Sequence, residues 1–145
     1  MKLLTAVLLG AMAGRAVPLF AQAAEPPGAA VEAAQAAART WLSLVDRARY
    51  AESWDSAAGV FRKAITKAAW VVAVRQARAP LAPLGARKLL GASFQTRLPN
   101  APPGEYVVLQ YETTAGGGRT VVETVTPMKD SDGTWRVSGY YVRPS

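Results

Sequence analysis

The chain has 145 residues, half of them hydrophobic, with 17 basic against 10 acidic side chains and a net charge of +7. It contains neither cysteine nor histidine. That excludes disulfides, thiolate or imidazole metal sites, and every Ser–His or Cys–His nucleophile, so any catalysis would run on carboxylates, tyrosines, lysines or backbone amides.

The length points to one domain. Residues 1–23 read as a secretory signal: Lys2 supplies the positive end, an apolar run covers residues 3–14, and Ala21-Gln22-Ala23 offers a small-x-small cleavage site. The apolar run is too short to span a bilayer. The expectation is an exported, soluble protein of the periplasm or exterior. Without Lys2 and Arg15 the count is 15 basic against 10 acidic, a net +5. Those charges are spread along the chain without a run, as on a solvated surface, and together with export this argues against a nucleic-acid partner.

Residues 24–30, with Glu25-Pro26-Pro27-Gly28, read as an extended linker to a single domain over 31–145. Val31, Ala34, Ala38, Trp41, Leu42 and Val45 recur on one helical face, predicting a helix to about residue 49. A shorter helix is expected over 50–61, with Ser53 as its cap and Gly59 weakening its interior. Thr66 caps a third helix, whose apolar face is Trp70, Val74 and Ala77 and which Pro80 ends.

The period then switches to two. Lys88, Leu90, Ala92, Phe94, Thr96 and Leu98 fall on the mainly apolar face of a first strand. Strands over 106–113, 119–128 and 135–142 follow, separated by the loop at 100–104, the Gly116-Gly117-Gly118 turn and a hairpin at 130–133. Short connections imply an antiparallel meander. The expected fold is α+β: three N-terminal helices packed on a curved, cone-like sheet of four strands.

Asp130 and Asp132 lack the further oxygens and the final glutamate of a calcium loop, and the glycine triplet lacks the lysine and helix of a phosphate loop. No metal or cofactor is expected. Glu123 has two placements open. It faces the interior with Val121 and Val125, where burial would raise its pKa and suit it to general-base or ligand-anchoring work. Alternatively Val122 faces inward, and Glu123 looks at solvent or pairs with an arginine. Tyr106, Tyr111 and Trp135 are candidate ligand-binding residues alongside it, and Tyr140 and Tyr141 could line the same cavity or fill the core. Arg75 and Arg78, one turn apart, would clamp an anion or pair structurally with Asp46, Glu52 or Asp55.

W-L-S-L-V-D at 41–46, Y-A-E-S-W-D-S-A-A at 50–58, Trp70, R-A-P-L at 78–81, P-L-G at 83–85, P-P-G-E-Y-V-V-L-Q-Y at 102–111 and D-G-T-W-R-V-S-G-Y-Y at 132–141 form one constellation. It resembles the bacterial exported family called domain of unknown function 4019, which has no established activity to carry over. The order of elements also resembles the nuclear-transport-factor-2-like and cystatin-like architecture, in which helices wrap a curved sheet into a cone with a ligand-binding mouth. That resemblance implies no function by itself.

The leading expectation is a non-catalytic module that binds a small ligand or a periplasmic protein at the cone mouth or the sheet face. The alternative is a small lyase or isomerase with Glu123 as base and a tyrosine as donor, Tyr111 being the candidate. A third is a homodimer joined through the sheet face, with Tyr140 as its marker.

Overall fold

The computed structural model describes residues 27–145. The expected signal segment and the start of the linker lie outside them. Helix α1, Pro27–Asp46, begins within the expected linker, with its proline in the first turn, where the missing N–H costs nothing. Twenty residues make a rod about 30 Å long. Its buried stripe is Ala30, Ala34, Ala38, Trp41, Leu42 and Val45, with Ala30 in the place expected for Val31. The three alanines are fully buried, and α1 touches all four strands. The alanine-rich half therefore lies flat on its neighbours.

The helix expected over 50–61 is two helices, α2 at Tyr50–Asp55 and α3 at Gly59–Ala64. The chain breaks because Ala58 turns extended and donates its backbone N–H to the Val137 carbonyl at 2.8 Å. Gly59 accordingly opens a helix instead of weakening one. Ser53 is no cap. It lies fully buried within α2, its hydroxyl donates to the Tyr50 carbonyl at 2.6 Å, and it accepts the Trp70 indole N–H at 2.9 Å. Helix α4, Lys67–Arg78, has the expected Thr66 cap, whose hydroxyl accepts from the Ala69 N–H at 3.2 Å. A single 3-10 turn, Ala79–Leu81, follows.

Strands β1 (Arg87–Gln95), β2 (Tyr106–Thr114), β3 (Thr120–Lys129) and β4 (Trp135–Pro144) pair antiparallel in the order β1-β2-β3-β4. The sheet is open, and its helices cover one face. The fold class is α+β as expected, with four α-helices over the described residues in place of three.

Two bulges set what faces the helices. In β1, Leu89 pairs with Tyr111 and Gly91 with Gln110, leaving Leu90 over. In β4, Gly139 pairs with Thr126 and Val137 with Pro127, leaving Ser138 over, its hydroxyl donating to the Thr126 carbonyl at 2.7 Å. An extra residue inverts the alternation of everything beyond it. Arg87 thereby joins the face of Phe94, and Tyr140 joins the face of Val137. The single apolar face expected from Lys88 through Phe94 does not form, and Leu90 stands half exposed.

Aromatic rings fill the space between the layers. Ring centroids of Trp41 lie 5.8 Å from Trp70 and 5.4 Å from Tyr140, and Phe61 meets Trp70 edge-on at 5.0 Å. Such pairs add about 0.5–1.5 kcal/mol each beyond the area they bury. Tyr140 is thus a core residue and Tyr141, 64% exposed, the outward one. The turn between β2 and β3 is held just as closely: a Cβ on Gly116 would sit 2.2 Å from the Ala82 carbonyl oxygen. Gly116→Ala is expected to cost about 2 kcal/mol, read as a lower urea midpoint at unchanged slope.

Candidate functional site

The polar centre of the molecule forms around Glu123, in the middle of β3. Its side chain is fully buried, on the inner face with Val121 and Val125, as in the first of the two expected placements. Each neighbouring element sends one polar group to it. Arg87, at the start of β1, donates Nε to Oε1 at 2.7 Å and Nη2 to Oε2 at 3.3 Å. Arg78, from the last turn of α4, donates Nη1 to Oε2 at 3.2 Å. Thr113, on β2, donates its hydroxyl to Oε1 at 2.6 Å. Tyr140, on β4, donates its hydroxyl to Oε2 in a very short hydrogen bond while accepting from Arg78 Nη1 at 2.9 Å.

Asp46, at the C-terminal end of α1, closes the network from the solvent side. Arg78 Nη2 reaches its Oδ1 at 2.6 Å, and Arg87 reaches Oδ2 at 2.6 Å and Oδ1 at 2.8 Å. Two guanidinium groups are thus balanced by two carboxylates, and the cluster carries no net charge. Neutrality is what makes its burial tolerable, because an unpaired ion here would face several kcal/mol of lost hydration.

The ionisation states follow. Burial by itself would raise the Glu123 pKa, but hydrogen bonds from Arg87, Thr113 and Tyr140 and the Arg87 charge hold it below the ordinary carboxylate value. The raised pKa expected of a buried base is therefore not what the site produces. Asp46 is likewise lowered: desolvation opposes, and the two arginines prevail. Burial, with the Glu123 charge, pushes the Tyr140 phenol up, so it stays protonated as a donor. Five hydrogen bonds from four side chains occupy the Glu123 oxygens, about as many as two carboxylate oxygens accept. No lone pair is left for a substrate proton.

Clefts flank the network on either side of Asp46. One, of about 290 Å³, lies among Val45, Asp46, Tyr50, Arg75, Arg78 and Leu84. The other, also about 290 Å³, is lined by Arg39, Leu42, Ser43, Asp46, Arg87 and Tyr111. In the second, the Tyr111 hydroxyl and the Arg39 guanidinium make no hydrogen bond or ion pair among the described residues. Tyr111 pairs across the sheet with Glu123. Burial pushes its phenol up against the opposing charges of Arg39 and Arg87, which leaves it a protonated donor.

The four residues expected to bind ligand are not one site. Tyr111 and Glu123 are neighbours. Tyr106 sits elsewhere, packed with Ala58 and Met128, its hydroxyl donating to the Pro102 carbonyl at 2.6 Å as a loop latch. Trp135 lines a third cleft, near the C-terminal half of α1. The expected anion clamp does not form: Arg78 is 6% exposed inside the network and Arg75 lies outside it, exposed. Arg78 instead makes the structural pair with Asp46 that was the other reading. Glu52 and Asp55 are surface partners of Arg49 and Lys67. Arg87, Thr113 and Arg39 were not anticipated. Arg87 and Arg39 look like ordinary solvated bases, and only the β1 bulge and the cleft distinguish them. Among the described residues no group of three acidic side chains is placed to hold a metal ion.

Removing one partner of a buried ion pair typically costs about 3–5 kcal/mol. Glu123→Gln leaves two guanidiniums facing one carboxylate, and the unfolding free energy should fall by about that amount in urea titration. Because Glu123 and Asp46 have folded pKa values below their unfolded ones, their contribution is fully present above about pH 4–5 and is lost as pH falls through the lowered folded values. Acid titration of stability should therefore show a steep loss below about pH 4 in the parent, and a shallower one in Glu123→Gln.

No curated protein and no solved structure matches the chain. A family model does match, over residues 37–140, from the middle of α1 to Tyr140, and so includes Asp46, Arg78, Arg87, Thr113, Glu123 and Tyr140. The chain belongs to that family, described as protein of unknown function (DUF4019).

Proposed function

We propose that this protein is a non-catalytic binding module, exported from a bacterium, that takes a small anionic ligand with an apolar body in the cleft between α1, β1 and β2. The observation that carries the reading is the pair of unpartnered donors there. The Arg39 guanidinium and the Tyr111 hydroxyl line the same cleft with Leu42, while the adjacent Asp46 and Arg87 are held by the buried network. A carboxylate would accept from both donors, and its apolar portion would lie on Leu42. The Glu123 network serves as the rigid floor. A lyase or isomerase with Glu123 as base finds no support, because that carboxylate is ionised, acidified and fully hydrogen-bonded. On this reading the cleft is the mouth of the nuclear-transport-factor-2-like arrangement that the order of elements resembles.

Benzoate and hexanoate serve as probes, with benzamide as the uncharged control. Both acids should raise the melting temperature saturably and benzamide should not. Arg39→Ala should weaken benzoate binding about tenfold or more, and Tyr111→Phe several-fold, as loss of charge-assisted hydrogen bonds predicts. Equal responses to benzoate and benzamide, or unchanged affinity in Arg39→Ala, would rule the reading out.

A second reading rests on the open side of the sheet, where Tyr141 stands 64% exposed beside Thr124 and in line with Gln110. This face would join two copies of the chain. Sedimentation should then show a dimer that Tyr141→Glu dissociates; a monomer at high concentration sinks this version.

A further inference from the structure

Helix α1 carries two exposed hydroxyls, Thr40 and Ser43, and they are engaged differently. Thr40 donates back to the Ala36 carbonyl at 3.2 Å, a common outlet for a mid-helix hydroxyl. Ser43 does not. Its Oγ accepts from Nη2 of Arg47 at 2.9 Å, while Arg47 Nε donates to the Ser43 carbonyl at 3.0 Å. Arg47, four residues on, leans back along the helix as long helical side chains do. The guanidinium occupies one side of the hydroxyl oxygen and turns the O–H away from itself. That O–H meets no acceptor among the described residues.

Ser43 lines the same cleft as Arg39 and Tyr111. Arg39 lies one turn before it on α1, and side chains four apart on a helix stand about 5–6 Å apart at Cβ. Tyr111 reaches the cleft from β2. Its hydroxyl has accessible surface, because among the described residues Nε1 of Trp135 is the one buried side-chain nitrogen or oxygen without a partner. The Ser43 hydroxyl is therefore a third free donor beside the guanidinium and the phenol.

The charges point the same way. Neither Arg39 nor Arg47 has a carboxylate partner among the described residues. Asp46 also lines the cleft, but Arg78 and Arg87 each hold it at 2.6 Å. Two unbalanced positive charges thus flank Ser43 along α1. A carboxylate, with two oxygens and one charge, leaves a donor and a charge unmatched. A phosphate monoester brings three terminal oxygens and a charge of about −1.5 to −2 near neutral pH.

We propose that the head group taken by this cleft is a phosphate monoester, its three terminal oxygens accepting from the Arg39 guanidinium, the Tyr111 hydroxyl and the Ser43 hydroxyl. The inference rests on the reading of this cleft as the ligand site, and it narrows the class of ligand and makes Ser43 the residue that sets the preference.

Phenyl phosphate and benzoate are the probes, titrated calorimetrically into the full chain at fixed ionic strength and pH 8, above the second phosphate pKa of about 6. Phenyl phosphate should bind about tenfold more tightly, as one added charge-assisted hydrogen bond predicts. Ser43 is exposed, and alanine suits a helix better than serine, so Ser43→Ala keeps the fold. That variant should lose the preference for phenyl phosphate while its affinity for benzoate stays within about twofold of the parent. Arg39→Ala should weaken both ligands. Equal affinities in the parent, or tighter binding of benzoate, overturn the proposal. So does a preference for phenyl phosphate that Ser43→Ala leaves intact, since that is charge attraction alone. In each of these cases Arg39-dependent binding of benzoate leaves the carboxylate reading standing, whereas binding of neither probe removes both.

Discussion

A carboxylate with no exposed surface sits between two guanidinium groups at the centre of this molecule, and the placement of the other elements follows from keeping it satisfied. Glu123 comes from β3, Arg78 from the end of α4, Arg87 from the start of β1, and Asp46 from the end of α1. Thr113 and Tyr140 add neutral donors from β2 and β4. All four strands and two helices thus converge on one cluster of zero net charge. A hydrophobic contact tolerates a shift of half a residue. A buried ion pair does not, because a displaced partner leaves an uncompensated charge in a low-dielectric interior.

The β-bulges are the means by which this is achieved. Without Leu90 as an extra residue, strand alternation would turn Arg87 away from Phe94 and away from the helices. Without Ser138, Tyr140 would face away from Val137 and could not reach both Glu123 and the Trp41 ring. Each bulge re-aims one polar side chain by half a period of the strand. Helix α1 does the complementary job. Its buried alanines let the rod lie close to the sheet, and this brings Asp46 at its end down to the two arginines.

The locked carboxylate belongs to a filled centre. The interior is filled by Trp41, Trp70, Phe61 and Tyr140, and its charges are paired. Beside this centre, between α1 and the sheet, the Arg39 guanidinium and the Tyr111 hydroxyl line one cleft and make no hydrogen bond or ion pair among the described residues. Acid–base chemistry needs a group able to change its protonation state near neutral pH, and the partners of Glu123 hold its pKa below the ordinary carboxylate value.

Much of this was legible in the residues alone. The switch from a period of 3.6 to a period of two placed helices before strands, and short turns dictated an antiparallel meander, because both depend only on local spacing. The Thr66 cap was readable for the same reason, whereas Glu123 kept two placements open, because strand alternation alone left both Glu123 and Val122 able to face inward. The absence of histidine and cysteine limited the chemistry outright. The break at Ala58 was hidden, since it depends on a backbone bond to Val137 far along the chain. The bulges were hidden too, because Leu90 and Ser138 are ordinary strand residues whose displacement is chosen by the pairing partner. Whether Glu123 would be a raised-pKa base or an acidified anchor rested on Arg78 and Arg87, brought from 45 and 36 residues away. Local propensity determined which elements this chain forms. Only the tertiary structure decided which charges would meet, because that depends on the register between strands and on where the helices end.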